Sequence, residues 1–303
     1  MTFSERVRAG RFVLTVEVTP PVAASRDALL DKALPLKDLA DAVNVTDGAG
    51  ARPHIAAGVA AAMLVEAGIE PVLQITCRDR NRIALQSDLL AAAASGVRNL
   101  LMLRGDDPSA GDQPDTKPVF DLDARQMLET ARRLRDRGEL PTGRKVAGNC
   151  DFFLGAADNP IDPPPGWQPN SLTAKIAAGA QFVQTQFCMD VDVVRRYLDR
   201  LAHSGLAPFP AILIGIAPLR SAKSARWMRD KLFGTIIPDR IVERLETAKD
   251  PGEEGRRICL ETIAALAGIP EVAGCHIMAP DNDAAVPQVI AEARRSVARL
   301  RHG

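Results

Sequence analysis

Glu17 stands inside RFVLTVEV, Arg11 to Val18, a β-branched, apolar run that stops at Pro20-Pro21. A carboxylate in such a strand costs free energy unless it is paired or neutral. It is either on an edge strand facing water or an acid aimed into a cavity near the strand's end. A second concentration of chemistry lies in VRNLLMLRGDDP, Val97 to Pro108. Asn99 to Leu103 suits a strand covered on both faces. It breaks abruptly into Arg104, Gly105, Asp106 and Asp107, a cation, a glycine and two carboxylates. That corner is either a plain polar turn or part of a ligand site. A third is FVQTQF, Phe182 to Phe187, where Gln184, Thr185 and Gln186 interrupt a short buried run. Buried amides need hydrogen-bond partners, supplied by the core or by a ligand.

What these residues lack is equally informative. The four histidines, His54, His203, His276 and His302, form no HExxH or other metal spacing, and no Ser/His/Asp grouping is visible. The inventory is one isolated acid, a second carboxylate, amides and an arginine suited to phosphate. It suits a polar heterocycle and a phosphate-bearing cofactor that carries the hard chemistry.

The elements that position these groups alternate. Strand-like runs occur at Arg11 to Val18, Ala42 to Val45, Pro71 to Thr76, Asn99 to Leu103, within Lys145 to Ala157, and at Phe182 to Phe187, Ala211 to Ile216 and Val272 to Met278. Helical spacing separates them, for example at Ser25 to Leu39, His54 to Ala67 and Asn170 to Ala178. Eight strand–helix units imply a parallel sheet closed into an α/β (β/α)8 TIM barrel, one catalytic domain over residues 1–303. Ser221 to Leu232, Pro238 to Ala248 and Gly252 to Leu266 are extra helices between strands seven and eight. A doubly wound open sheet is the alternative, but GAGARP puts Pro53 where a dinucleotide fingerprint needs its third glycine. In a closed barrel the carboxyl ends of the strands converge on one mouth. There they bring together Glu17, Thr46, Asp47, Gln74 to Arg78, Arg104 to Asp106, Asn159 and Gln184 with Gln186. Alternation along strand six predicts that Gln184 and Gln186 share a side that Thr185 does not.

Composition removes other classes. Lys plus Arg (38) equals Asp plus Glu (38), so net charge gives no argument for nucleic acid or an anionic membrane. Aromatics at 4% argue against a stacking platform for single strands. MTFSERVRAGRF has no apolar signal core, and no run approaches the ~18 apolar residues of a membrane span. Five scattered cysteines without a CxxC pair point to a reducing cytoplasm and against a disulfide framework.

The sequence resembles the methylenetetrahydrofolate reductase family. The matching blocks are EVTPP (Glu17 to Pro21), VTDGAG (Val45 to Gly50), QITCRDRNRIALQSDLL (Gln74 to Leu90), LMLRGDDP (Leu101 to Pro108), FFLGAADNP, KIAAGAQFVQTQF and GIAPLRS (Gly215 to Ser221). They follow the family's order over nearly the whole chain. The resemblance implies a barrel of the short form, without the C-terminal regulatory domain of longer relatives. It implies FAD, or FMN, at the strand ends. NADH or NADPH reduces the flavin and leaves, and methylenetetrahydrofolate then takes its place and receives hydride. It further implies that Glu17 is the general acid, which must hold a proton near neutrality to protonate a folate ring nitrogen. Asp106 matches the carboxylate near pterin and flavin, and Gln186, with Gln184 beside it, the substrate-binding amides. Thr46, Gln74, Arg104, Gly105, Asp106, Asn159 and Lys175 fall at flavin-contact positions. Some members carry His where Gln74 stands and Tyr where Gly155 stands, both against the flavin.

Rival readings stay open at this point. One is direct hydride transfer from NADH without flavin. A second is a Schiff-base barrel lyase using Lys175. A third is a partner-dependent subunit linked to a methyltransferase. A homo-oligomer is a further expectation.

Overall fold

The computed structural model describes residues 1–206 and 209–302. Eight parallel strands close on themselves in chain order: β1 Val13–Val18, β2 Ala42–Val45, β3 Pro71–Thr76, β4 Asn99–Leu103, β5 Phe153–Asp158, β6 Phe182–Phe187, β7 Ala211–Ile216 and β8 Val272–Ile277. Closure is made by β1 against β8, with Thr15 opposite His276. The (β/α)8 barrel expected from the alternation is the observed architecture.

Helices cover the outside: α1 Phe3–Arg8, α2 Arg26–Ala33, α3 Ala57–Glu66, α4 Arg82–Ala94, α5 Ala124–Arg137, α6 Asn170–Ala178, α7 Val191–His203, α8 Ala222–Lys231, α9 Asp239–Thr247, α10 Pro251–Ala267 and α11 Val286–His302. Three of them, α8 to α10, fill the β7–β8 connection as the sequence predicts. Ser25 caps α2 by accepting from Ala28 N, the role its position indicates. That helix is shorter than expected, because Pro35 turns the chain into a single 3-10 turn at Leu34–Leu36. The helix expected from His54 begins at Ala57, since the His54 ring is drawn back to the carbonyls of Pro20 and Ala49. No helix among the described residues is long and apolar enough to cross a membrane.

The barrel interior is stacked in three levels, set by the period of two along each strand. At the amino-terminal end Phe3, Phe153 and Phe182 form a ring cluster with centroids 5.0 to 5.6 Å apart. Phe3 is fully buried and comes from α1, a six-residue helix that plugs the barrel floor. These rings are buried together with Val13, Val72 and Leu213 in one apolar cluster at this end. Above them lies a polar level of Thr15, Asn44, Gln184 and His276, each 3% exposed or less. Above that the barrel opens into a cavity. The larger apolar core lies outside, between the strands and the helix ring.

Candidate active site

The cavity at the carboxyl ends of the strands has a volume of about 470 Å³. Glu17 and Asp106 both line it, as do Thr46, Gln74, Arg104 and Asn159. The predicted convergence of strand ends therefore brings these residues together around open space.

Glu17 is reached from below and from the side. Gln74 Nε2 donates to its Oε2 at 3.1 Å, and His276 Nε2 stands 3.9 Å from the same oxygen. The second distance is too long for a hydrogen bond. Beneath them the polar level forms a continuous network. Asn44 and Gln184 exchange amide hydrogen bonds at 2.6 and 3.1 Å. Gln184 Nε2 also donates to Thr15 Oγ1 at 3.2 Å, and Thr15 Oγ1 is 3.0 Å from His276 Nδ1. Because Thr15 Oγ1 accepts from Gln184, its own proton goes to His276 Nδ1. A neutral His276 then carries its proton on Nε2, the nitrogen that faces Glu17. Gln74 thus donates to Glu17 Oε2, with the His276 ring standing 3.9 Å from the same oxygen. Among the described residues Oε1 has no recorded hydrogen-bond partner.

Sequence reasoning treated His276 only as a histidine outside any metal motif. The signal that singled out Glu17, an ionisable residue inside an apolar strand, was present in β8 as well. Gln184 answers the question posed for strand six: the core supplies its partners, and it forms the cavity floor with its amide fully engaged. Gln186 differs. Its Oε1 accepts from Phe187 N at 3.0 Å, and its NH2 has no recorded partner among the described residues. It can be offered to a ligand.

The expected alternation in strand six needs correction. Gln184 pairs with Leu213 and Phe187 with Gly215, so β6 holds one extra residue across the gap. This bulge brings Thr185 to the cavity border along with both glutamines. Its hydroxyl accepts from Gly215 N at 2.9 Å and donates to Gln186 O at 2.9 Å.

Asp106 and Arg104 are exposed at the rim. Asp106 Oδ2 accepts from Gly50 N at 3.1 Å, which ties the β4 corner to the loop after β2. The Arg104 guanidinium lies 4.9 Å from the Phe120 ring centroid. Gly105 adopts φ +94, where a side chain would press on Thr76 and Arg78. Asp47 faces the cavity edge but serves as a bracket, accepting from Thr76 N, Thr76 Oγ1 and Arg80.

Several observations bear on a bound cofactor. Thr46 Oγ1 is buried beside the cavity with no hydrogen-bond partner. An orphaned hydroxyl at such a place is a group that a polar ligand satisfies. Asn159 lies beneath Gly234, where a Cβ would come within 2.8 Å of its amide oxygen, and next to it Phe233 is 86% exposed at the mouth. Lys175 is less direct. It sits half-buried on α6, with Nζ donating to Ala157 O at 2.7 Å, at the end of β5 behind the cavity wall. Gly155 leaves no room for the tyrosine some relatives carry, because the Phe182 ring would lie 2.2 Å from a Cβ there. The donor set at Thr46, Arg104 and Asn159 fits a polar, phosphate-bearing ring cofactor.

Sequence comparison with known proteins converges on one family. The methylenetetrahydrofolate reductase family model matches residues 2–294. A Caenorhabditis elegans protein named probable methylenetetrahydrofolate reductase (NADPH) is 26% identical over 240 residues, covering 77% of this chain and 33% of its own length. A Pectobacterium carotovorum 5,10-methylenetetrahydrofolate reductase is 27% identical over 224 residues, covering 71% of this chain and 66% of its own. The chain thus spans about a third of the length of the first curated relatives it matches. Among solved structures, a Clostridium thermocellum protein described as binding two copies of 5-methyl-5,6,7,8-tetrahydrofolic acid superposes with a TM-score of 0.66. It covers 98% of this chain and 99% of its own at 15% identity, a likeness of fold.

Proposed function

This chain belongs to the methylenetetrahydrofolate reductase family, and from that premise we propose that its barrel reduces 5,10-methylenetetrahydrofolate with NADH or NADPH. One hydride and one proton enter the folate, giving 5-methyltetrahydrofolate and NAD(P)+. The observation that supports this reading best is the placement of Glu17 and Asp106 on one open cavity, with Glu17 Oε2 held by Gln74 and faced by His276.

Glu17 acts as the general acid. Its Oε1 delivers a proton to a folate ring nitrogen, and the five-membered ring opens to a cationic iminium. A positioned acid of this kind contributes roughly 10²–10⁴-fold. The Asp106 carboxylate at the rim favours that positive charge electrostatically. Gln186 offers its NH2 to the pterin, while Gln184 keeps the floor rigid. Thr46, Arg104 and Asn159 would hold a flavin, FAD or FMN, with Gln74 and Gly105 alongside and Lys175 supporting the β5 end. When bound, that flavin supplies a two-electron carrier between nicotinamide and folate, which take turns at one site. The Schiff-base reading finds no support in geometry, because Lys175 is not among the residues lining the cavity and its ammonium donates to the Ala157 carbonyl. A cytoplasmic setting accords with five buried, free cysteines.

The deciding experiment is the absorption spectrum of the purified protein. Flavin bands bleached anaerobically by NADH or NADPH and restored by methylenetetrahydrofolate are expected. A flavin-free protein that still forms 5-methyltetrahydrofolate would replace the carrier with direct hydride transfer. A protein that reduces no folate under either condition overturns the reading.

A further inference from the structure

Arg78 is the one arginine among the described residues that is buried, at 4% exposure. A guanidinium so far from water must have its donors met. It has five N–H groups, and each has an acceptor. Nε and one NH2 hydrogen go to the Asp79 carboxylate at 2.7 Å each. NH1 and NH2 each reach Gly48 O at 3.3 Å, and NH1 reaches Asp106 O at 3.5 Å. No donor is left for a phosphate or a carboxylate ligand, so Arg78 is not an anion site.

Its surroundings show what it does instead. Gly48, at φ +61, lies so close that a Cβ there would stand 2.4 Å from NH2. Gly105, on the other flank, would put a Cβ 3.0 Å from Arg78 Cβ. The side chain is pinched between two glycines from two different loops. The first loop carries Gly50, whose N–H meets the Asp106 carboxylate. The second carries Asp106 itself. The Arg78 carbonyl takes up a third segment by accepting from Val119 N at 2.7 Å, which sets Phe120 beneath Arg104.

We propose that Arg78 is a positioning residue that fixes the Asp106 carboxylate at the cavity for the cationic stage of folate reduction, by clamping the Gly48–Gly50 loop to the Arg104–Asp106 corner. The assignment rests on the reductase reading above. A planar fork can bridge two carbonyls and a carboxylate at once, whereas a lysine ammonium is a point charge. Displacing a catalytic group by ~1 Å can cost about 10²-fold in rate.

The test is a double-mutant cycle on the flavin-loaded full chain with Arg78→Lys and Asp106→Asn, following the two half-reactions separately. Arg78→Lys is expected to slow folate reduction about 10- to 100-fold and to leave nicotinamide oxidation within about twofold. In the Asp106→Asn background it should add less than about twofold, because residues acting as a unit are non-additive. Gly48→Ala, which pushes the guanidinium aside without removing it, should reproduce the folate-selective loss. Independent, multiplying effects, or parallel loss of both half-reactions with Tm, overturn the proposal. Amide exchange provides an arm that needs no turnover: Arg78→Lys should speed exchange at 48–51 and 104–107 while β3 and β4 stay protected. Unchanged exchange in both loops overturns the clamp even if the enzyme is a reductase. A wild-type protein inactive on folate overturns the reductase reading instead.

Discussion

Gln74 donates its side-chain amide to Glu17 Oε2 at 3.1 Å, across the barrel interior from β3 to β1. With His276 Nε2 facing the same oxygen, the carboxyl group is oriented before any substrate arrives. One oxygen accepts from Gln74 and faces the His276 ring, and the other has no recorded partner among the described residues.

Glu17→Gln should therefore remove folate reduction by about 10²-fold or more and leave nicotinamide-driven flavin bleaching intact. The glutamine keeps the shape and can still accept from Gln74, but has no acid proton. Stopped-flow absorbance of the two half-reactions measures the split. Equal loss in both would take Glu17 out of the acid role.

His276→Ala should act on both rate and stability. Thr15 loses the acceptor for its hydroxyl inside a fully buried layer, at a cost of about 1–3 kcal/mol. Glu17 loses the ring beside Oε2, and the folate half-reaction should slow by roughly tenfold, within the range of orienting groups. Urea denaturation and single-turnover kinetics read the two effects separately. A variant with lowered stability and an unaltered folate rate would make His276 purely a core residue.

Gly155→Ala should destabilise the barrel by about 1–3 kcal/mol, the usual range for overpacking. The new methyl group would meet the Phe182 ring at 2.2 Å, and that ring is held by Phe3 and Phe153. Trimming the obstacle with Phe182→Leu in the same chain should restore part of the loss. Thermal melts of the two single variants and the double variant decide it. Additive destabilisation would show that the two positions do not compete for space.

Tyr197 is the chain's one tyrosine, and its hydroxyl donates to Asp158 Oδ2 at the end of β5. Burial first, and the Asp158 carboxylate second, push its phenol far above the ordinary range. A folded pKa raised above the unfolded value stabilises fully below about pH 10 and is lost as pH rises beyond it. Tyr197→Phe should therefore make the alkaline fall in stability shallower by up to about 1.4 kcal/mol per pH unit. What slope remains belongs in part to Cys188 and Cys259, whose thiols burial pushes up to about 12. Denaturation curves from pH 8 to pH 12, approximately, would show the difference. Tyrosinate absorbance appearing near pH 10 in the folded wild type would contradict the shift.

Much of the fold was legible because burial patterns are local. Short apolar runs separated by helical spacing mark eight strand–helix units, and a parallel sheet of eight such units closes. Glu17, Asp106 and Thr46 were legible for a related reason: polar groups at the ends of apolar strands go where those ends converge. The helix α1 was not, since six residues carry too little periodicity to distinguish them from a loose terminus, and only packing Phe3 under the barrel gives them a role. The bulge in β6 was also hidden, because an extra residue shows only against the partner strand.

The sequence by itself determined which residues are costly to bury and which strand each belongs to. Tertiary structure alone decided how that cost is met. Thr15 and His276 are 261 residues apart and touch only because β8 closes on β1, so the pairing that aims an imidazole at Glu17 is absent from any local window. The same holds for Arg78, which its place after strand three puts at the mouth, but which does not line the cavity and is buried instead between two glycine-bearing loops. Local patterning encodes which side chains avoid water. Barrel closure, a long-range event, chooses their partners.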